Sequence, residues 1–429
     1  MTIAIIGFLA VFLLAFAGIP LAFAMLLAGV GGYAAIRGID PALYMLGQVV
    51  VDASANYGMS VLPMFILMGL FVHKADISSE LYEAANAWLG HLKGGLAHAT
   101  LLACSLFAAI SGSSIATAAT MTKVAMPPMR RLGYHDRLST GAVASGGVLG
   151  VLIPPSVPLV IFGLLTETDI RKLFIATIIP GLILLVLFLG AVWITLLINP
   201  SLGPRGERLP MRQRFVALKG VWSTLLLFVL VMGGLYGGVF TATECAGIGA
   251  TGALLIAVAR RKMSFAGMLS CLKETAMTTS MIFAIVFGAL VFANFITLSG
   301  MTNALVEWIQ NSGFTLTGVL LAMVLIYLVL GALMEAMGLL LLTAPIFTAI
   351  VVEMGVNPIW FGIFVVMMIE IGMLSPPVGM NVFTVKTLLP EVKLSTIFQG
   401  VMPFVIANLI GVGLIIAWPE IVLVSLRWF

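Results

Sequence analysis

The sequence predicts an all-α polytopic membrane protein built as an inverted repeat, each half carrying a re-entrant hairpin followed by a broken helix. Three observations carry that prediction. Of 429 residues, 61% are hydrophobic and only 9% charged, with a mean hydropathy of +1.18; a soluble domain carries roughly a quarter charged residues. Apolar runs follow one another with little between them. Pro154-Pro155 recurs as Pro376-Pro377, a step of 222 residues, about half the chain.

The composition excludes an ordinary cytoplasmic enzyme, a disordered chain and a nucleic-acid-binding module. The solvent is the lipid bilayer, and at about 20 residues per crossing the length allows on the order of ten to thirteen spans. A net charge of +4 reads as the Lys/Arg excess of cytoplasmic loops, with attraction to phospholipid as the bland alternative. The cysteines, Cys104, Cys245 and Cys271, offer neither a disulfide framework nor zinc-ligand spacing. Residues 1–36 lack a basic leader and a small-residue cleavage site, so a retained first helix is expected rather than a signal peptide.

Taken in order, the apolar runs fall at about 3–36, 59–72, 94–128, 141–165, 173–198, 221–259, 276–297, 314–352, 359–389 and 396–426. Segments 76–91 and 263–275 mix charges with Leu, Met and Trp, as interfacial helices do. The long polar interruption, 199–219, holds five basic residues and one acid, and Arg260-Arg261-Lys262 follows two spans later. Both belong in the cytoplasm under the positive-inside rule.

Within 93–128 the polar knot Ser111-Gly112-Ser113-Ser114 divides legs of about 18 and 12 residues, or roughly 27 and 18 Å of helix. Neither crosses a core of about 30 Å comfortably. Lys93 and Arg130-Arg131 flank the pair on one side, so a chain that enters, turns and leaves again satisfies length and charge. The alternative is one continuous helix with Ser and Gly as a close-packing face. The 222-residue step also maps Gly133 onto Gly355 and Gly150 onto Gly372. RRLGYHDR at 130–137 carries three arginines and its counterpart EMGVNPIW at 353–360 none, so the two loops are expected on opposite sides. Arg171 and Lys172, placed outside by this topology, are a counter-signal.

Each Pro pair removes backbone donors and ends the helix before it. Freed carbonyls at membrane depth are tolerated where they line a cavity or bind something. Carbonyls suit Na⁺, and the resumed half-helix offers amides to an anion; a packed, ligand-free kink is the alternative. Intramembrane acids are few, and each defaults to a functional reading. Glu335 falls at the second expected tip, 333–336, and is the best single acid for cation coordination or substrate gating. Glu244 fits an interfacial position equally well, and Glu370 a buried acid bonded to Asn or Ser. Lys123, in the hairpin's second leg, reads as a snorkelling or paired lysine more readily than as a substrate ligand. A serine hydrolase would need a histidine base; His98 lies more than two turns from the knot, and His73, His91 and His135 are in flanking sequence. No phosphate loop or dinucleotide fingerprint is present.

At these residues the sequence resembles the large membrane subunit (DctM family) of tripartite ATP-independent periplasmic (TRAP) transporters, within the ion-transporter superfamily. The resemblance runs over nearly the whole chain, through ISGSSIATAATMTKVAMPPMRRLGY, GGVLGVLIPPSVPLVIFG, GGVFTATECAG, LMEAMGLLLLTAPIF and GMLSPPVGMNVF. Two departures stand out. The family's Thr-Pro-Thr-Glu is here Thr241-Ala242-Thr243-Glu244, and Glu335 replaces a common Asp, which bears on ion affinity or substrate size.

The resemblance implies a Na⁺-coupled importer of an organic acid, working as an elevator in the bacterial inner membrane. Its partners would be a small four-helix membrane subunit and a periplasmic substrate-binding protein. It implies scaffold helices and an interfacial arm over 1–92, a transport domain over 93–172 and 314–392, further scaffold over 173–313, and a C-terminal scaffold helix over 393–429. One Na⁺ would lie between Ser111, Gly112 and Ser113 and the break at Ile153 and Pro154. A second would lie between Leu333, Glu335 and Ala336 and the break at Met373, Ser375 and Pro376. Substrate would sit near Ser113, Ser114, Pro155, Pro377 and Asn381. A single-component Na⁺/dicarboxylate symporter of the same superfamily is the alternative, with a channel or an intramembrane serine hydrolase further off.

Overall fold

The computed structural model describes residues 2–428, and its regular structure among those residues is helical throughout. The first half opens with α1 (Thr2–Phe16), α2 (Leu21–Arg37), α3 (Ile39–Ala55) and α4 (Val61–Lys74), followed by an arm, α5 (Ile77–Leu89). A hairpin of α6 (Gly95–Ser111) and α7 (Ser114–Arg131) leads into α8 (Asp136–Leu152) and α9 (Val157–Leu165), then α10 (Ile170–Ala176) and α11 (Ile178–Ile198). The second half runs α12 (Met211–Tyr236), α13 (Ala242–Ala259), α14 (Phe265–Leu298) and the arm α15 (Met301–Asn311). Its hairpin is α16 (Leu316–Leu333) and α17 (Ala336–Glu353), followed by α18 (Pro358–Leu374), α19 (Met380–Leu388) and α20 (Leu394–Ala417).

Nine helical stretches among the described residues are long and apolar enough to cross a membrane, the α8–α9 pair counting as one. Hairpin leg α6, at 17 residues, rises only about 26 Å, so the re-entrant reading stands over a continuous helix. Local chemistry ends the leg. Gly112 takes φ +60, donating its N–H to Ala108 O, and the extended Ser113 caps α7 by accepting from Ala116 N. Glycine is the residue that adopts this left-handed backbone without a Cβ penalty.

The step of 222 residues is obeyed more widely than the Pro pairs disclose. It carries both ends of α7 onto both ends of α17, and both ends of α8 onto both ends of α18. Outward from there it brings α2 onto α13 and α5 onto α15 to within two residues. The stretch α3–α4, interrupted by a turn that Asn56 caps at Gly58 N, corresponds to the unbroken α14. The halves interlock: α2 packs on α14 while α13 packs on α4, and α7 packs on α19 while α17 packs on α9.

Inversion is visible in where helices begin. Arg130, just ahead of α8, pairs with Asp136 and with Glu391 beside the start of α20. Trp360, at the start of α18, donates Nε1–H to Ile415 O near the far end of α20. That 24-residue helix is about 36 Å long, so α8 and α18 start at opposite ends of the molecule. The basic loops gather at the first of these ends. His135 N donates to Leu202 O, Gly206 N to Gly90 O, Arg260 pairs with Glu80 and Lys262 with Asp76. Arg171, the counter-signal, donates Nη2 to Tyr236 O at 2.6 Å and so closes the C-terminus of α12.

Two groups of helices result. One joins α2, α4, α13 and α14, flanked by α1, α3 and α12; the other joins the hairpins and broken helices with α10, α11 and α20. α11 and α20 fall within the stretches 173–313 and 393–429 expected as scaffold. They lie on each other and on α8, with α20 also on α18 and α11 on α6. The reason is the repeat, which makes α11 the counterpart of α20 and seats both beside the broken helices.

Candidate functional site

Four interruptions of helix meet at the middle of the molecule. The tip of the first hairpin rests on the first break, where Pro154 and Pro155 are joined by a cis peptide bond. A Cβ at Gly112 would stand 2.9 Å from Pro155 O, and one at Gly150 would stand 3.3 Å from Ser113 O. These glycines let tip and break approach through backbone atoms. Thr117 fixes the tip from within, its Oγ1 lying 3.0 Å from Ser111 Oγ and donating to Ser113 O at 2.7 Å. Its place in the run Ser111–Thr117, one helical turn past Ser113, was the signal that could have found it.

The second hairpin lies on the second break, where Pro376 and Pro377 are again cis. Val378 N donates to Ala332 O at 3.3 Å, and a Cβ at Gly372 would stand 2.7 Å from Gly331 Cα. Glu335 is the counterpart of Ser113 and does the same work: it caps α17, its Oε2 accepting from Met337 N and Gly338 N at 3.0 Å each. Leu333, Glu335, Pro376 and Pro377 are exposed, whereas Ser111, Gly112, Pro154 and Pro155 are buried and Ile153 is half-buried. The second half of the site is the more open one.

The two halves touch. Ser114 Oγ lies 3.4 Å from Met373 Sδ. Asn381 on α19 is fully buried and donates Nδ2 to Ala144 O of α8 at 3.1 Å. A Cβ at Gly147 would meet both that Nδ2, at 2.9 Å, and Ser114 O, at 3.0 Å. Ser113, Ser114, Pro155, Met373 and Asn381 are thus brought together, while Pro377 and Glu335 face outward. Asn381 Oδ1 has no hydrogen-bond partner among the described residues.

The donor set is oxygen-rich and poor in charge. A proline at 154, 155, 376 or 377 withholds the amide that a helix would send to the carbonyl four residues back. Ser156 Oγ takes up Val151 O in the first half. Its counterpart Val378 has no hydroxyl to offer Met373 O in the second break. First-turn amides of α7 and α17 lie at the two tips, Ala116 N bonded to Ser113 Oγ and Met337 N and Gly338 N to Glu335 Oε2.

Other singled-out residues lie elsewhere. Glu244 completes a capping box with Thr241, accepting from Thr241 N and Oγ1. Glu370 is 0% exposed, reached by Asn408 Nδ2 at 3.5 Å between α18 and α20. No histidine hydrogen-bonds a tip serine among the described residues; His73 meets Thr120 on α7 instead.

Paired re-entrant tips and paired broken helices in an inverted repeat define a secondary transporter of the membrane-permease class. The family model for the DctM component of the tripartite ATP-independent periplasmic transporter matches residues 8–421, and the chain belongs to that family. It is 34% identical over 379 residues to the C4-dicarboxylate TRAP transporter large permease protein DctM of Pseudomonas aeruginosa, covering 88% of each chain. It is 30% identical over 412 residues to the sialic acid permease SiaM of Vibrio cholerae, covering 96% of this chain and 95% of that one. The 2,3-diketo-L-gulonate permease YiaN of Escherichia coli is 29% identical over 414 residues, 96% of each. Among solved structures, the YdaH transporter of Alcanivorax borkumensis shares the fold, with a TM-score of 0.61 over 90% of each chain at 15% identity. The chain is therefore a multi-pass inner-membrane permease subunit of a TRAP transporter and not an enzyme.

Proposed function

We propose that this permease imports an organic acid, handed over by a periplasmic binding protein, by coupling it to Na⁺ in complex with a small four-helix membrane subunit. One observation carries the reading: the contact of Ser114 with Met373, which joins a hairpin tip of one half to the broken helix of the other. A carboxylate lying there meets hydroxyls and helix-start amides, while Na⁺ is served by the carbonyls and hydroxyls on either side. The first Na⁺ would take Ser111, Gly112 and Ser113 with Ile153 and Pro154. The second would take Leu333, Glu335 and Ala336 with Met373, Ser375 and Pro376. The relatives' substrates, a C4-dicarboxylate, a sialic acid and a diketogulonate, support an organic acid as cargo.

The movement that fits is an elevator, with the hairpins, broken helices, α11 and α20 sliding as one body against α2, α4, α13 and α14. The grouping of the helices supports it, contact between the groups running mainly through α4 with α6, α14 with α17 and the arm α5. The test is uptake into proteoliposomes holding this chain and its small subunit, with binding protein and radiolabelled acid outside and an imposed Na⁺ gradient. Uptake should need the gradient and all three components. Replacement of Ser113 and Glu335 together with no change in Na⁺-dependent uptake would refute the site, and uptake by this chain alone would point to a self-sufficient symporter.

A further inference from the structure

We propose that Gly69 and His73 of α4 form a one-sided latch that seats the first hairpin on the fixed bundle, and that each transport cycle requires it to open. The proposal rests on the reading above, in which the hairpins move against α4. The two residues are four apart and share one face of the helix. At Gly69 the approach is backbone to backbone: a Cβ there would stand 2.7 Å from Ser111 O and 3.3 Å from Ser111 Cα. No flexible side chain is present to yield, so only glycine admits the tip. One turn further on, His73 Nδ1 lies 3.1 Å from Oγ1 of the buried Thr120. The first contact holds the end of α6 and the second holds α7, so both legs of the hairpin are gripped by a single face of α4.

The other half lacks the device. The 222-residue step takes Gly69 to Val291 and His73 to Phe295. Both are fully buried inside the fixed bundle, Val291 beside Gly29, and Phe295 where side chains at Gly7 and Gly32 would otherwise stand. Thr120 becomes Leu342, with no hydroxyl. The second hairpin meets the bundle without a backbone seat at its tip: α17 packs on α14, Gly338 faces the Leu21 side chain, and Leu333 is 49% exposed. Two halves related by sequence and fold thus hold their hairpins differently, and the difference sits in the scaffold residues. Gly69 acts on the site through Ser111 and His73 through Thr120, both as positioning residues.

The test bridges the latch. In a cysteine-free background, His73→Cys with Thr120→Cys is joined by a short bifunctional thiol reagent that a reductant can cleave, and the protein is compared with itself before bridging. Uptake should stop on bridging, radioactive Na⁺ should still bind, and reduction should restore uptake. Uptake continuing at the unbridged rate would mean that the hairpin never leaves α4 and would overturn the proposal. A second pair of variants avoids the reagent. Thr120→Val, of similar shape without the hydroxyl, should raise the half-saturating Na⁺ concentration by up to about fivefold, the worth of one hydrogen bond, while Thr120→Ser stays at the wild-type value. Identical behaviour of the two would also overturn the latch. Uptake that ignores Na⁺ in the wild type would overturn the transport reading itself, and shows before any substitution is made.

Discussion

Gly112→Ala tests the heart of the site. Gly112 has φ +60, and its added Cβ would stand 2.9 Å from Pro155 O. The left-handed backbone alone costs an L-residue roughly 1–2 kcal/mol. Ordinary contact lies at 3.4 Å or beyond, so the tip must also retreat by several tenths of an ångström. That exceeds the tolerance of about 0.2 Å that ion ligation allows. Taking about 2 kcal/mol against the seated, ion-binding arrangement, the half-saturating Na⁺ concentration should rise about 30-fold. Gly133→Ala is the control. Its φ is +77, but nothing lies within 4 Å of its added Cβ, so it carries the backbone cost without the collision. Proteoliposome uptake against Na⁺ concentration should separate the two variants, with thermal stability lowered in both. Equal Na⁺ dependence for Gly112→Ala and Gly133→Ala would refute the claim that tip and break together form the ion site.

Three further outcomes follow from the geometry. Glu335→Gln keeps an oxygen to cap α17 but removes the charge; half-saturating Na⁺ should rise about tenfold, the scale of a hydrogen bond to a charged group, with the melting temperature little changed. A large loss of stability instead would make Glu335 a cap only. Asn381→Leu removes the α19–α8 bond to Ala144 O and should lower stability by about 1 kcal/mol, read as a lower Tm; an unchanged Tm would show that the buried amide holds nothing. For topology, a cysteine at Gly355 should react with an impermeant thiol reagent in intact cells, and one at Gly206 only after permeabilisation. The reverse pattern would invert the orientation.

Much of the fold was legible in the chain because its determinants are local. A lipid solvent admits only helices and closed barrels, so composition nearly settled the class. Length fixed the hairpin, since a 17-residue leg does not reach across, and proline chemistry fixed the breaks. The 222-residue step was readable at Pro154 and Pro376 because proline and glycine meet backbone requirements that few other residues can. It was invisible at α2 and α13, or α5 and α15, where any apolar helix former serves and the counterparts share little sequence. Family membership was equally legible, being carried by the same short motifs.

The tertiary structure decided what depends on partners far away in sequence. It placed α11 and α20 against the broken helices, a contact set by packing across the repeat and not by chain order. It gave Arg171 a carbonyl to close at Tyr236 and reduced Glu244 to a helix cap. It showed Glu335 working as a helix cap, and Asn381 buried between the halves. Gly69 carries no sequence signal at all: a glycine in an apolar helix looks like any other until Ser111 O is found where its side chain would be.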